Sequence, residues 1–437
     1  MKKIISIALC CALILSVATG LFACTKNESK GSGGNGKMAY VLCEKENAYS
    51  LGLASAFKTA FEKGGGKVTM ESFPKGTTGF SEYFEKAIDV DAKIIFLPNS
   101  VSVAYDMLKC ASDLGINVPI LSGDTWESAV VLDAVKETGM EVYCTTFFDE
   151  VNYTSESAGE FISGFKRFLS ENSEYYEMNG GNDMVSAVSA LGFDAYNVTM
   201  TAIRSAAEKK GSALTSLDIA SALWSTDHNG VTGRMTFDST GDAIKTDMYI
   251  KKAATDGTAF EFVKLQTVEN EGKGGTSPEY SGEGVAIDTD NKKITIGVYE
   301  PMTGNDSAGG KQELLGIIYA NNLDNKVMID GEEYTVFLYT CDNGSLSENA
   351  LATATKIIDA KAVAVIGSYG SGVSIAASEP FKEANIPAIG ASCTNPEVTS
   401  KSDLYFRTTL IDPYQGSVMS EFAFGLMKNA SSDTTAE

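Results

Sequence analysis

The sequence predicts an α/β fold built on parallel sheets, and three observations predict it. From residue 38 onward, short apolar runs alternate with longer stretches of helical period, the pattern of βαβ units. The alternation breaks once, over residues 266–292, where five glycines, a proline and several acids leave little periodicity. It restarts at residue 293 and runs almost to the last residues.

Residues 38–43 (MAYVLC) read as a strand, and 51–63 as a helix with Leu53, Phe57, Ala60 and Phe61 on one face. A strand over 67–73 and a helix over 80–88 follow. Next come a strand at 93–97 (KIIFL) and a helix over 101–114 closed by Gly115. The strand 118–121, a helix 127–138 ended by Gly139, and the strand 142–146 complete this run. Helices are expected over 154–170 and 190–209. Residues 231–237, 248–252 and 260–264 look like antiparallel strands, with a turn at Gly241-Asp242 between the first two. After the 266–292 linker, strands are expected at 293–299, 335–340, 363–366 and 386–389. Helices are expected at 310–322, 347–359, 374–383 and 414–427.

Composition narrows the function. With 437 residues the chain is long enough for two domains, and 43% hydrophobic with 21% charged residues suits a globular protein. A formal charge of −22 argues against nucleic acid as a partner, because phosphate contacts need clustered Lys and Arg. The first 24 residues read as a targeting segment: Lys2 and Lys3 precede an apolar run over 4–17, too short to span a membrane. The run ends in Leu21-Phe22-Ala23-Cys24, which resembles a bacterial lipobox, so Cys24 is the expected lipidation site. The polar stretch 25–37 (TKNESKGSGGNGK) suits a tether lifting a domain off a membrane. An ordinary signal peptide cleaved before Cys24 is the alternative.

Five cysteines remain: Cys43, Cys110, Cys144, Cys341 and Cys393. They show no CxxC spacing and the chain has one histidine, so neither a zinc site nor a disulfide framework is expected. With His228 alone, a Ser-His-Asp or Cys-His nucleophile is hard to build, and HExxH and GxSxG are absent. The run from Gly304 to Gln312 misses a phosphate-binding loop by one residue of spacing and by Gln312 in place of Ser or Thr. No enzyme, cofactor or metal is expected.

Ligands of open parallel sheets bind beyond the carboxyl ends of strands. Those ends carry small polar loops here: Pro301 to Gly304, Gly367 to Gly372, Gly390 to Pro396, and Ser122 to Trp126. Hydroxyls and free amides suit a carboxylate, and an aspartate opposite suits an ammonium; together they describe a site for an α-amino acid. For any single loop, turn chemistry is sufficient explanation.

Seven stretches carry a family resemblance: IGVYEPMTG (296–304), VIGSYGSGVSIAAS (365–378), IPAIGASCTNPEVT (386–399), YFRTTLIDPYQG (405–416), YSLGLASAF (49–57), VPILSGDTWES (118–128) and GVTGRMTFDSTGD (230–242). They resemble the branched-chain amino acid (Leu/Ile/Val) substrate-binding proteins of ABC importers. The resemblance implies two Rossmann-like lobes joined by crossing strands, the periplasmic binding protein type I fold. It also implies a cyclic shift: 38–265 corresponds to the family's C-terminal part and 293–437 to its N-terminal part, as in a circular permutant. A truncated tandem or a misassembled gene is the alternative. One lobe would combine 293–410 with roughly 180–248, and the other 38–148 with 249–265 and the terminal helix.

Carried over residue by residue, Ser371, Ser392 and Thr394 would hold the α-carboxylate and part of the ammonium. Asp124 would pair with the ammonium, Tyr49 would close over the ligand, and Ser100 would lie near another contact. Trp126 follows Asp124 as a further candidate, with ordinary packing as the alternative for both Tyr49 and Trp126. Gly309 stands where the family has a bulky residue, which would enlarge the side-chain pocket. Cys341 matches half of a family disulfide whose partner position here is Gly370. The expected protein is thus a monomeric, lipid-anchored extracytoplasmic receptor for a branched-chain amino acid or small amide. Its partner would be an importer permease; a ligand-sensing module for a signalling partner is the alternative.

Overall fold

The computed structural model describes residues 37–267 and 272–433; the expected leader with Cys24, and the tether up to residue 36, lie outside the described residues. Two sheets organise the rest. The first has seven strands in the spatial order Lys67–Phe73, Met38–Glu44, Ile94–Phe96, Ile120–Ser122, Val142–Thr146, Asp247–Ala253, Phe260–Thr267. Its first five run parallel, and the last two add antiparallel. The second runs Lys326–Ile329, Glu332–Asp342, Lys293–Glu300, Ala364–Gly367, Ala388–Gly390, Tyr405–Arg407, parallel apart from its first strand. The α/β class and the parallel sheets expected from the alternation are both present.

Apolar runs become central strands because both faces are covered. In Met38–Glu44, Ala39, Val41 and Cys43 enter one core while Tyr40 and Leu42 enter another. The first core receives Leu53, Phe57 and Phe61 of helix Ala48–Lys63, where Phe61 stacks on Phe424 of helix Asp412–Asp433 at 4.4 Å between centroids. Asn47 starts the helix by accepting from the Ser50 amide. The last helix of the described chain therefore packs beside the first.

Helix Ala187–Lys210 crosses helix Ser307–Leu323 at backbone distance. A Cβ on Gly316 would lie 1.9 Å from the Ser189 carbonyl oxygen, and one on Gly192 would lie 2.4 Å from that of Glu313. Glycine at both positions is what permits the crossing.

Two expectations are corrected. Residues 231–237 are not one strand. His228–Gly230 and Gly233–Met235 pair with each other instead, because Asp194 accepts from the Val231 and Thr232 amides and the Thr232 hydroxyl, bending the chain between them. The strand at 248–252 then joins the first sheet rather than pairing with this segment, although the turn at Gly241-Asp242 forms. Over 272–292 the linker is docked rather than free. Ser216 and Val285 exchange hydrogen bonds, Trp224 Nε1 donates to the Tyr280 hydroxyl at 2.6 Å, and Ile287 is buried.

Candidate functional site

Parallel strands of both sheets end at one place. Loops after Met38–Glu44, Ile94–Phe96 and Ile120–Ser122 meet loops after Lys293–Glu300, Ala364–Gly367 and Ala388–Gly390 around a cavity of about 340 Å³. Small-ligand sites typically span about 300–1,000 Å³, so the volume admits one small molecule.

Six of the eight expected side chains line this cavity: Tyr49, Ser100, Asp124, Ser371, Ser392 and Thr394. They come from stretches far apart in the chain and are brought together by the two sheets. Ser371 opens helix Ser371–Glu383, and its Oγ accepts from the Asn395 amide at 3.3 Å. Thr394 is 1% exposed and lines the cavity beside the buried Asp412 carboxyl, which its hydroxyl stabilises. The loop bearing Ser392 and Thr394 is held from below by fully buried Arg407. Its guanidinium donates to the Cys393 and Asn395 carbonyls at 3.1 and 2.6 Å and pairs with Asp242 at 2.6 Å.

Asp124 is buried, accepts from Gln415 Nε2 at 2.9 Å, and has its carboxyl pushed up to about 6 by burial. Gln415 belongs to the last helix and accepts in turn from the Thr145 hydroxyl. The Tyr49 hydroxyl accepts from Thr125 Oγ1 at 3.3 Å and touches the Gly123 backbone closely enough to forbid a side chain there. Ser100 donates to Asp306 at 2.8 Å, and Asn395 Nδ2 donates to the Ala48 carbonyl at 2.8 Å. Both bonds tie residues of the 293–437 stretch to the 38–265 stretch across the cavity.

The remaining two expected residues sit differently. Trp126 is completely buried, donates its indole N–H to the Asn99 carbonyl at 3.0 Å, and does not line the cavity. Packing, the alternative weighed for it, is its place. Gly309 borders a smaller adjoining space of about 30 Å³, but it does not enlarge the pocket. A Cβ there would lie 2.4 Å from the Tyr369 ring, so that aromatic takes the room the missing side chain leaves.

Several functional groups escaped the sequence reading. Ser392 donates to Glu313, a buried carboxyl pushed up to about 7 by burial. Burial and the neighbouring Glu313 raise Glu300 well above the ordinary carboxylate range, while its second oxygen accepts from the Tyr369 amide at 2.7 Å. Two like carboxyls sharing a buried site favour keeping a proton between them. Glu44, Asp306 and Tyr369 also line the cavity. Glu44 and Glu300 could have been found, since each ends a parallel strand where ligands bind. Among the described residues, no group of three His, Cys, Asp or Glu is arranged to hold a metal. No described helix is long and apolar enough to cross a membrane.

The site therefore offers hydroxyls and buried carboxyl groups between two α/β halves. A model of the periplasmic binding protein family matches residues 27–258 and 293–427, both halves of that arrangement. The chain belongs to the periplasmic binding protein family. This is a family of binding proteins rather than enzymes. This binding protein is 33% identical over 138 residues to an amino acid binding protein of Pseudomonas aeruginosa, covering 31% of this chain and 36% of that one. It is 30% identical over 138 residues to a Leu/Ile/Val-binding protein homolog of Brucella melitensis, covering 31% and 37%. The matches thus span about a third of those relatives' lengths. Among solved structures, a leucine binding protein from Thermotoga maritima aligns with 53% of this chain and 61% of its own, at 24% identity and a TM-score of 0.44. A solute binding protein from Actinobacillus succinogenes with bound D-allose covers 90% and 92%, at 11% identity and a TM-score of 0.45.

Proposed function

We propose that this binding protein is a monomeric extracytoplasmic receptor that captures an α-amino acid between its lobes and delivers it to the permease of an ABC importer. Lipid on Cys24, followed by the 25–37 tether, would hold it at the membrane. The single observation that carries the reading is the meeting of Thr394, Ser371, Ser392 and buried Asp124 in one cavity between the two sheets. Hydroxyls and free helix-start amides receive a carboxylate, and Asp124 receives an ammonium. Branched-chain amino acids are the class for which the Brucella relative is named. Closure follows from rotation of one lobe about the crossing strands.

We also propose that the stretches 38–265 and 293–437 are the family's two parts in exchanged order, joined by 266–292. The Lys37 ammonium lies 4.9 Å from the Phe424 ring centroid, so the start of the described chain sits against its last helix. Neighbouring ends are what a permuted chain requires.

Thermal unfolding of the purified protein against the twenty amino acids tests the receptor reading. A ligand at 100 times its Kd stabilises the folded state by about 2.7 kcal/mol. One amino acid should raise the midpoint, and Asp124→Asn should remove the rise without unfolding the protein. A cooperative melt that no amino acid moves would sink the assignment.

A further inference from the structure

The cavity carries more negative charge than a neutral amino acid needs. Glu44, Glu46, Asp124, Asp306 and Glu348 all line it, against the single ammonium of Lys75. Glu46 and Glu348 are exposed at the rim, and Glu46 is already engaged by Lys45 and the Lys75 amide. Glu44 is different. It is 6% exposed, its carboxylate opens on the cavity, and among the described residues that carboxylate meets no hydrogen-bond donor and no ion-pair partner. Only its backbone amide is bonded, to Asn99 Oδ1 at 2.9 Å, which fixes the strand end from which the side chain projects.

Asp306 stands just before helix Ser307–Leu323, and its charge raises the cost of ionising Glu44. Among the described residues, the donor to the Asp306 carboxylate is the Ser100 hydroxyl, at 2.8 Å. The charged groups around the two carboxylates are Lys75, which favours both anions, and Glu46, which disfavours Glu44. An unpartnered carboxylate on so buried a side chain is held at a cost that a cation would offset. Lys75 is exposed and forms no ion pair with either. Asp124 meanwhile lies on another part of the wall, with its own partner Gln415.

We propose that the ligand carries a second positive charge, a side-chain ammonium or guanidinium, which lies between Glu44 and Asp306 while its α-ammonium pairs with Asp124. The inference rests on the α-amino acid reading and specifies its class: a basic amino acid rather than an aliphatic one. Thr394 and Ser371, which line the same cavity, remain for the α-carboxylate.

Calorimetric titration of the full-length protein with lysine, arginine, ornithine and leucine tests it, with calcium chloride as a separate titrant. At least one basic amino acid should bind tenfold or more tightly than leucine. Glu44→Gln and Asp306→Asn should each lower that preference at least tenfold, whereas a merely structural role would weaken both ligands alike. Leucine binding as tightly as every basic amino acid would overturn the inference and leave the receptor reading standing. Binding of none of the four, by a protein that melts cooperatively, would overturn the inference, and failure of all twenty amino acids to shift the melt would overturn the receptor reading too. Calcium binding that Glu44→Gln abolishes would assign the pair to a metal and overturn the inference as well.

Discussion

At the scale of the residue, burial decides which carboxyls around the cavity are charged. It pushes Asp124 up to about 6 and Glu313 and Asp412 up to about 7, whereas in the unfolded chain such groups ionise at about pH 4. Over the window from about pH 4 to 7 the folded protein therefore binds more protons than the unfolded one, and stability falls as pH rises. Half-buried His228 and buried Lys245, whose charged forms burial disfavours, act in the opposite sense, but Glu44, Glu300 and Asp306 are raised as well and add to the three carboxyls. The ligand-free protein should accordingly melt at a higher temperature at pH 5 than at pH 7.5 by circular dichroism; a flat or inverted profile would contradict this. Ligand stabilisation should run the other way, growing as Asp124 ionises through about pH 6. Gly309 offers a second residue-level test. Its substitution by alanine sets a methyl 2.4 Å from the Tyr369 ring and should lower stability by about 1–3 kcal/mol in urea unfolding. Tyr369→Ala combined with Gly309→Ala should recover part of that loss, since the clash disappears.

Elements are positioned by glycines as much as by apolar faces. The crossing of helices Ala187–Lys210 and Ser307–Leu323 carries Glu313 beneath Ser392, so the site depends on that contact. Gly316→Ala would drive a methyl into the Ser189 carbonyl, where backbone rather than a flexible side chain must yield. The expected loss exceeds 2 kcal/mol, with weakened ligand response. Gly425→Ala is the control: nothing lies within 4 Å of a Cβ there, and in a helix alanine is favoured over glycine by about 1 kcal/mol. Equal effects of the two substitutions on the urea midpoint would refute this account. Most of these elements were legible: the helices at 51–63, 310–322 and 374–383 formed with added residues at their starts. The segment 231–237 was not, because Asp194, a residue on another element, determines its path.

For the whole molecule, the exchanged order makes a direct prediction. A variant whose last residue is joined to Lys37 by a short flexible linker, and whose chain opens between Thr267 and Lys293, should fold and bind the same ligand. The contact of Lys37 with Phe424 sets the start of the described chain against its last described helix. Some stability should be lost, since Val285, Tyr280 and Ile287 would leave their present attachments unless the 272–292 segment is retained on one side of the cut. A soluble variant with a cooperative melt and an unchanged ligand response bears the reading out. Aggregation of both the cut and the segment-retaining forms would count against it.

By itself the sequence determined the class of fold and most of the hydroxyls. Alternating apolar runs cannot be satisfied except as strands covered on both faces, and small polar loops at strand ends supplied Ser371, Ser392, Thr394 and Asp124. Only the tertiary structure decided the charge of the site. Glu44, Asp306 and Glu313 are ordinary acids in the chain, as numerous others are. What sets them apart is that two sheets bring them out of water around one cavity, where a carboxylate must find a partner or hold its proton. The same packing removed Trp126 from the site and set Tyr369 where Gly309 left space, outcomes that depend on neighbours distant in sequence.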